Sequence, residues 1–93
     1  MTKAELIQQV AERVNLTQQD TGIVVNTVFA GIIEALRVGD KKVELRGFGS
    51  FRVKQRNAKE ARNPKTGDKV RIPAKKIIFF RPSKKLKELV DSS

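Results

Sequence analysis

Hydrophobic positions recur through the first third of the chain with the period of a helix. Leu6, Ile7, Val10, Ala11 and Val14 form one stripe, and Thr2 with Glu5 stands before it at capping-box spacing. This predicts a first helix ending near Asn15. Thr17 and Asp20 repeat the spacing ahead of Val25, Val28, Phe29, Ile32 and Leu36, a second helix that should stop before Gly39. Val24, Ile33 and several small neighbours widen its apolar face beyond what one small sheet needs. A contact between subunits is favoured over an ordinary monomer core.

Beyond Asp40 the period changes from 3.6 to 2. Val43 and Leu45 alternate with Glu44 and Arg46, and Phe48 and Phe51 flank a Gly47–Gly49 bend before Val53. Lys41–Leu45 and Phe48–Gln55 are therefore expected to be successive antiparallel strands. Arg56 to Arg62 is too polar to pack on a body. Asn63, Pro64, Lys65, Thr66 and Gly67 then supply turn residues in a row, after which Val70 and Ile72 restore alternation. Residues 54–74 should form a long hairpin standing away from the protein, with a reach of about 30 Å at roughly 3.3 Å per residue. Lys75 to Phe80 returns to the sheet. Pro82 and Ser83 open a short last helix with Leu86, Leu89 and Val90 facing inward, and Asp91, Ser92 and Ser93 should fray.

Charge changes this picture from a fold to a function. From Arg52 to Lys76 there are ten basic residues against Glu60 and Asp68, whereas the first 51 residues balance six basic against six acidic. The formal +10 of the chain is thus a local feature. A solubilising surface mixes signs; a thin ribbon of like charges repels itself unless a polyanion neutralises it. The leading partner is duplex DNA, held through its phosphates by Arg52, Lys54, Arg56, Lys59, Arg62, Lys65, Lys69, Arg71, Lys75 and Lys76. Pro64 at the exposed tip is a turn former, and it has the shape of an apolar wedge of the kind that kinks a duplex from the minor groove. Neither limb carries an aromatic residue on which single strands could stack. Glu44 and Arg46 form either an exposed ion pair or a groove reader in which the acid orients the guanidinium. Phe80 belongs inside with Phe48, Phe51 and Phe29. Phe79 packs against side chains at the arm base or exposes apolar surface beneath the DNA.

With 93 residues and neither Cys nor His, the chain is one small domain without disulfides, thiolate or imidazole metal ligands, or the usual general base. No enzyme, metal, cofactor, small-molecule ligand or membrane contact is expected, and cytosolic placement fits the lack of Cys.

The residues also carry a family resemblance. Gly47-Phe48-Gly49-Ser50-Phe51, Arg62-Asn63-Pro64-Lys65-Thr66-Gly67, Ile72-Pro73-Ala74 and Phe80-Arg81-Pro82 before Lys85-Leu86-Lys87 resemble, in order and separation, the bacterial HU/IHF histone-like proteins from Thr2 to Val90. The resemblance implies an α+β fold assembled as an intertwined dimer, a helical base (residues 1–38) under an antiparallel sheet saddle with two protruding hairpin arms. It implies that Pro64 intercalates in the minor groove with Arg62, Asn63 and Lys65 around it, that Glu44 and Arg46 take part in sequence preference as in the beta subunit of IHF, and that Phe29, Ile32, Phe48, Phe51 and Phe80 build the dimer core. It further implies a nucleoid-associated protein that bends and compacts double-stranded DNA. Glu44 to Phe51 and Asn63 to Val70 look more like the beta subunit of IHF, the helices and charged arm more like HU. An HU-like homodimer of broad sequence tolerance is favoured; the alternative is an IHF-like subunit for preferred sites in a heterodimer, and an RNA-binding module ranks below both. Two positions depart from the family pattern. Ala61 stands where glycine is common before the tip, and Ser83 stands where glycine usually follows the Phe-Arg-Pro element.

Overall fold

Both threonine caps predicted from spacing are in place. In the computed structural model, which describes residues 1–92, Thr2 Oγ1 accepts from the Glu5 amide (3.1 Å) and Thr17 Oγ1 from the Asp20 amide (3.0 Å). They open helices α1 (Lys3–Val14) and α2 (Gln18–Arg37). Asn15 closes α1 in the left-handed conformation, at φ 59°, with its amide donating to the Ala11 carbonyl. The two helices meet at the only two buried side chains among the described residues, Ala11 and Thr21.

The rest of the chain forms β1 (Lys42–Leu45), β2 (Gly49–Arg56), β3 (Lys59–Arg62), β4 (Lys69–Ile72), β5 (Lys75–Pro82) and α3 (Lys84–Asp91). β1, β2 and β5 make a three-stranded antiparallel sheet in that order. Its register sets Val43, Phe51 and Phe80 in one row and Val53 opposite Ile78 on the same face. The Phe80 ring sits 4.8 Å from that of Phe51 and 5.5 Å from that of Phe48, so three of the four rings expected together do meet, whereas Phe29 stays exposed on α2. Gly49 makes it possible: a Cβ there would meet the Arg81 carbonyl oxygen and the Phe80 ring, both at 2.6 Å.

β3 and β4 form a separate two-stranded sheet. The arm is therefore not the uninterrupted hairpin expected. Asn57 and Ala58 break one limb, and Pro73 and Ala74 break the other, where proline has no N–H to give the ladder. The last helix also differs from expectation. Ser83 caps it by accepting from the Leu86 amide (3.0 Å), but only Leu86 is half-buried, with Leu89 58% and Val90 67% exposed. α3 continues outward from β5, and too little of the same chain lies beside it to cover those residues. Asp91, expected to fray, is helical, and Ser92 caps the end through its amide to the Glu88 carbonyl; Ser93 lies outside the described residues.

What the chain lacks is an interior. Phe29 and Phe48 are exposed, as are Ile23, Val24, Val28 and Ile33 along α2. The accessible surface is 8119 Å², against about 5,400 Å² for a compact monomer of this mass. The radius of gyration is 19.2 Å, where about 12 Å is usual for this length. The arm explains part of this excess; the bare apolar faces of α2 and the sheet explain the rest. Such an exposure is that of a protomer awaiting a second subunit. Replacing Gly49 with Ala should lower stability by about 1–3 kcal/mol in denaturant unfolding at fixed protein concentration, because the clash is with backbone and an anchored ring. An unchanged midpoint would mean that the close approach of β2 and β5 at Gly49 is not a constraint.

Candidate nucleic-acid interface

Strand alternation sorts the cations before any partner is considered. On the sheet face opposite Phe51 and Phe80, β2 contributes Arg52, Lys54 and Arg56, and Lys75 stands directly across from Arg56. Lys42 and Phe79 flank Arg52 in its row, and Glu44, Ser50 and Arg81 form the next. Lys76 falls on the other face with Val53 and Ile78. It lines an apolar recess with Ile33 and Leu36, so the structure separates it from the cations with which it was grouped.

The distal ribbon is two-sided. One face pairs Glu60 with Arg71 and Arg62 with Lys69; the other sets Lys59 opposite Ile72 and Ala61 opposite Val70. Arg62 and Lys69 are like charges placed directly across the strands, an arrangement that destabilises an isolated ladder. Among the described residues only two ion pairs form, Arg37 with Glu34 and Lys42 with Glu44. None of the ten basic residues between Arg52 and Lys76 has one, and Glu60 and Asp68 do not supply it. The repulsion in the arm is left standing.

The tip is built around Asn63. Its amide donates to the Asp68 carbonyl and its own carbonyl accepts from the Gly67 amide, both at 2.8 Å, while its Oδ1 accepts from the Lys65 amide at 2.9 Å. Thr66 Oγ1 accepts from the Asp68 amide at 3.3 Å. Gly67, at φ 74°, takes the left-handed position that closes the turn. This arrangement holds Pro64 exposed at the end of the arm with Lys65 beside it. Asn63, grouped with the groove-contacting residues, thus has a structural task of its own: its side-chain oxygen is engaged, and its NH₂ remains.

Neither expectation for Glu44 and Arg46 matches the geometry. The Glu44 carboxylate accepts from Lys42 Nζ at 2.8 Å. Lys42 lies two residues away on the same strand face, whereas Arg46 lies past the end of β1 in the turn before Phe48. The Lys42 ammonium, by hydrogen bond and charge, holds the Glu44 carboxyl below the ordinary carboxylate range, with Arg52 adding to the effect. Arg46 instead borders an open hollow whose charged lining is Glu44 on one side and, on the other, Arg81, Lys84 and Lys87. These last three escaped the sequence reading, although a signal was present: the first turn of α3 carries lysines and no acid, against the preference of a helix N-terminus for negative charge. Phe79 meets Lys54 at the arm base, with Nζ 4.3 Å from its ring centroid, and also keeps exposed apolar surface.

No helix among the described residues is long and apolar enough to cross a membrane. The surface is suited to gripping a polyanion: unpaired cations on the sheet and ribbon, a rigid apolar tip, and a basic hollow at the end of the body.

Comparison with known proteins agrees with this geometry. A family model described as "Bacterial DNA-binding protein" matches residues 1–91. The chain is 50% identical over 90 residues to DNA-binding protein HU of Geobacillus stearothermophilus, covering 97% of this chain and 99% of that one. It is 44% identical over 93 residues to integration host factor subunit beta of Herminiimonas arsenicoxydans, covering 99% and 91%. An Anabaena HU–DNA cocrystal structure matches the fold with a TM-score of 0.85 at 42% identity over the full length of both chains.

The Lys42–Glu44 pair gives a pH test. A depressed carboxylate contributes stability that is present at neutral pH and is lost as pH falls through the lowered folded value. NMR titration should place the Glu44 carboxyl below the ordinary carboxylate range, and Lys42→Gln should raise it. A Glu44 that the substitution leaves unmoved would contradict the pairing.

Proposed function

From the membership of this chain in the bacterial DNA-binding protein family of HU and IHF, we propose that it is a non-catalytic architectural protein that grips and bends duplex DNA. The observation that carries this is the arm: ten cations without one ion-pair partner among the described residues, on a ribbon with no interior of its own. Phosphates are the partner that arrangement lacks. Engagement of about six to ten of them makes affinity fall steeply with salt.

Two protomers act together. The exposed faces of α2 and of the sheet, with Phe29, Ile32, Phe48, Phe51 and Phe80, close on a second subunit, and two arms then project from one saddle. Arg52, Lys54, Arg56 and Lys75 meet the backbone on the saddle, and Arg62, Lys65, Lys69 and Arg71 follow it along the ribbon. Lys59 reaches it from the ribbon's other face, and Lys76 from the root of β5. The apolar side of the ribbon, Ala61, Val70 and Ile72, suits the sugar walls of a minor groove. Pro64, held forward by the Asn63 turn, enters between base pairs and kinks the duplex; unstacking costs a few kcal/mol per step and is offset by the contacts that the bend permits. Arg46, Arg81, Lys84 and Lys87 take a phosphate farther along the same DNA, beside the N-terminus of α3.

Contacts of this kind grip the backbone and read little sequence. The broad, HU-like mode as a homodimer therefore fits best, with compaction of the nucleoid in the cytoplasm as its setting. The IHF-like mode, as a subunit of a heterodimer with preferred sites, is the second reading. Its specific support is the 44% identity to a beta subunit, while the pairing of Glu44 with Lys42 takes away the acid that would orient Arg46.

Pro64→Ala separates grip from wedge. Fluorescence transfer between the ends of a short duplex should show bending clearly reduced in the variant, while retention of DNA at low salt changes by less than about threefold, since the phosphate contacts remain. Equal bending by both proteins would remove Pro64 from the mechanism. Failure of the unaltered protein to retain duplex at low salt would remove the function itself.

A further inference from the structure

Lys54 stands among like charges. Arg52 and Arg56 lie two residues to either side on the same strand face, and Lys75 faces Arg56 across the ladder. Its neighbour at close range is uncharged: the Phe79 ring, 4.3 Å from Nζ to centroid. Register creates this contact. Lys54 pairs with Ile77, so Phe79 is its diagonal neighbour on the same face, within reach of a long side chain. The ring is 40% exposed, seated on the sheet yet open to the ammonium.

The choice of partner has a consequence for anion binding. A carboxylate at this place would fix the lysine and cancel its charge, as Glu44 does for Lys42. An aromatic face attracts the ammonium through its quadrupole and cancels nothing. A free lysine loses much rotamer freedom when it binds a phosphate, and prior ordering removes part of that cost.

We propose that Phe79 is a positioning residue for DNA binding, its ring pre-ordering the fully charged Lys54 ammonium at the root of the arm. The inference rests on the DNA-binding reading above and adds to it a residue that touches no phosphate itself. Its effect on affinity is about two- to fivefold, the worth of an exposed cation–π contact.

The test is a double-mutant cycle with Phe79→Leu and Lys54→Gln, measuring duplex affinity across a salt series. Phe79→Leu keeps an apolar side chain on the strand. It should weaken binding about two- to fivefold at each salt concentration without changing the slope of log affinity against log salt. Lys54→Gln should lower the slope by about one, and adding Phe79→Leu to it should then change nothing. Phe79→Trp should bind as the unaltered protein does. In the DNA-free protein, the Lys54 ε-methylene protons should show a ring-current shift by NMR that Phe79→Leu abolishes, and matching thermal melts should verify that the variant is folded. Equal losses from Phe79→Leu with and without Lys54, no loss at all, or no ring-current shift would overturn the inference while leaving DNA binding intact. Failure of the unaltered protein to bind would overturn both.

Discussion

The apolar residues of one chain are spread over a frame too thin to enclose them. Helices α1 and α2 bury only Ala11 and Thr21 between them, and the sheet stacks Phe80 on Phe51 and Phe48 without covering the outer ring surfaces. Below about 70 residues outside the arm, a single core supplies little net stability even when it is closed. Here it is open. A second subunit is thus a condition for the fold rather than an addition to it, and the geometry of binding follows. Two chains give two arms, and two arms can close on opposite sides of one duplex.

Charge is distributed to suit that division of labour. The helical half is balanced, so two subunits can approach without repulsion, and the arms concentrate the positive charge where no acid among the described residues pairs with it. A ribbon with Arg62 facing Lys69 is poorly stabilised by its own strands. In the proposed complex, phosphates offset that repulsion. The tip is the exception, since Asn63, Thr66 and Gly67 hold Pro64 in place by local hydrogen bonds before any DNA arrives. In the proposed binding mode, a ribbon weakly held by its own strands follows a groove while the braced tip delivers the wedge.

Elements governed by local chemistry were legible in the sequence. Thr2 and Thr17 cap their helices, the change of period at Asp40 marks the sheet, and Asn63 to Gly67 forms the expected turn. Each depends on residues within a few positions of one another. The errors came where neighbours in space decide. Glu44 had two basic residues at equal separation, and the strand end at Leu45 left Lys42 as the one within reach. For Lys76 only the face was illegible: it has the same chemistry as Lys75 but the opposite strand parity. Leu89 and Val90 follow an inward-facing helical pattern whose inside is not supplied by their own chain. The hollow at α3 was missed because Arg46 is brought near Arg81, Lys84 and Lys87 only by the pairing of β1, β2 and β5.

The most direct test of this account is dilution. Mass and helical circular dichroism should be followed together as protein concentration is lowered at moderate salt without DNA. If the apolar faces of α2 and the sheet need a second subunit, loss of the dimer and loss of helix should occur over the same concentration range, and the melting temperature should rise with concentration. A monomer that keeps its full helical signal after dissociation would contradict it.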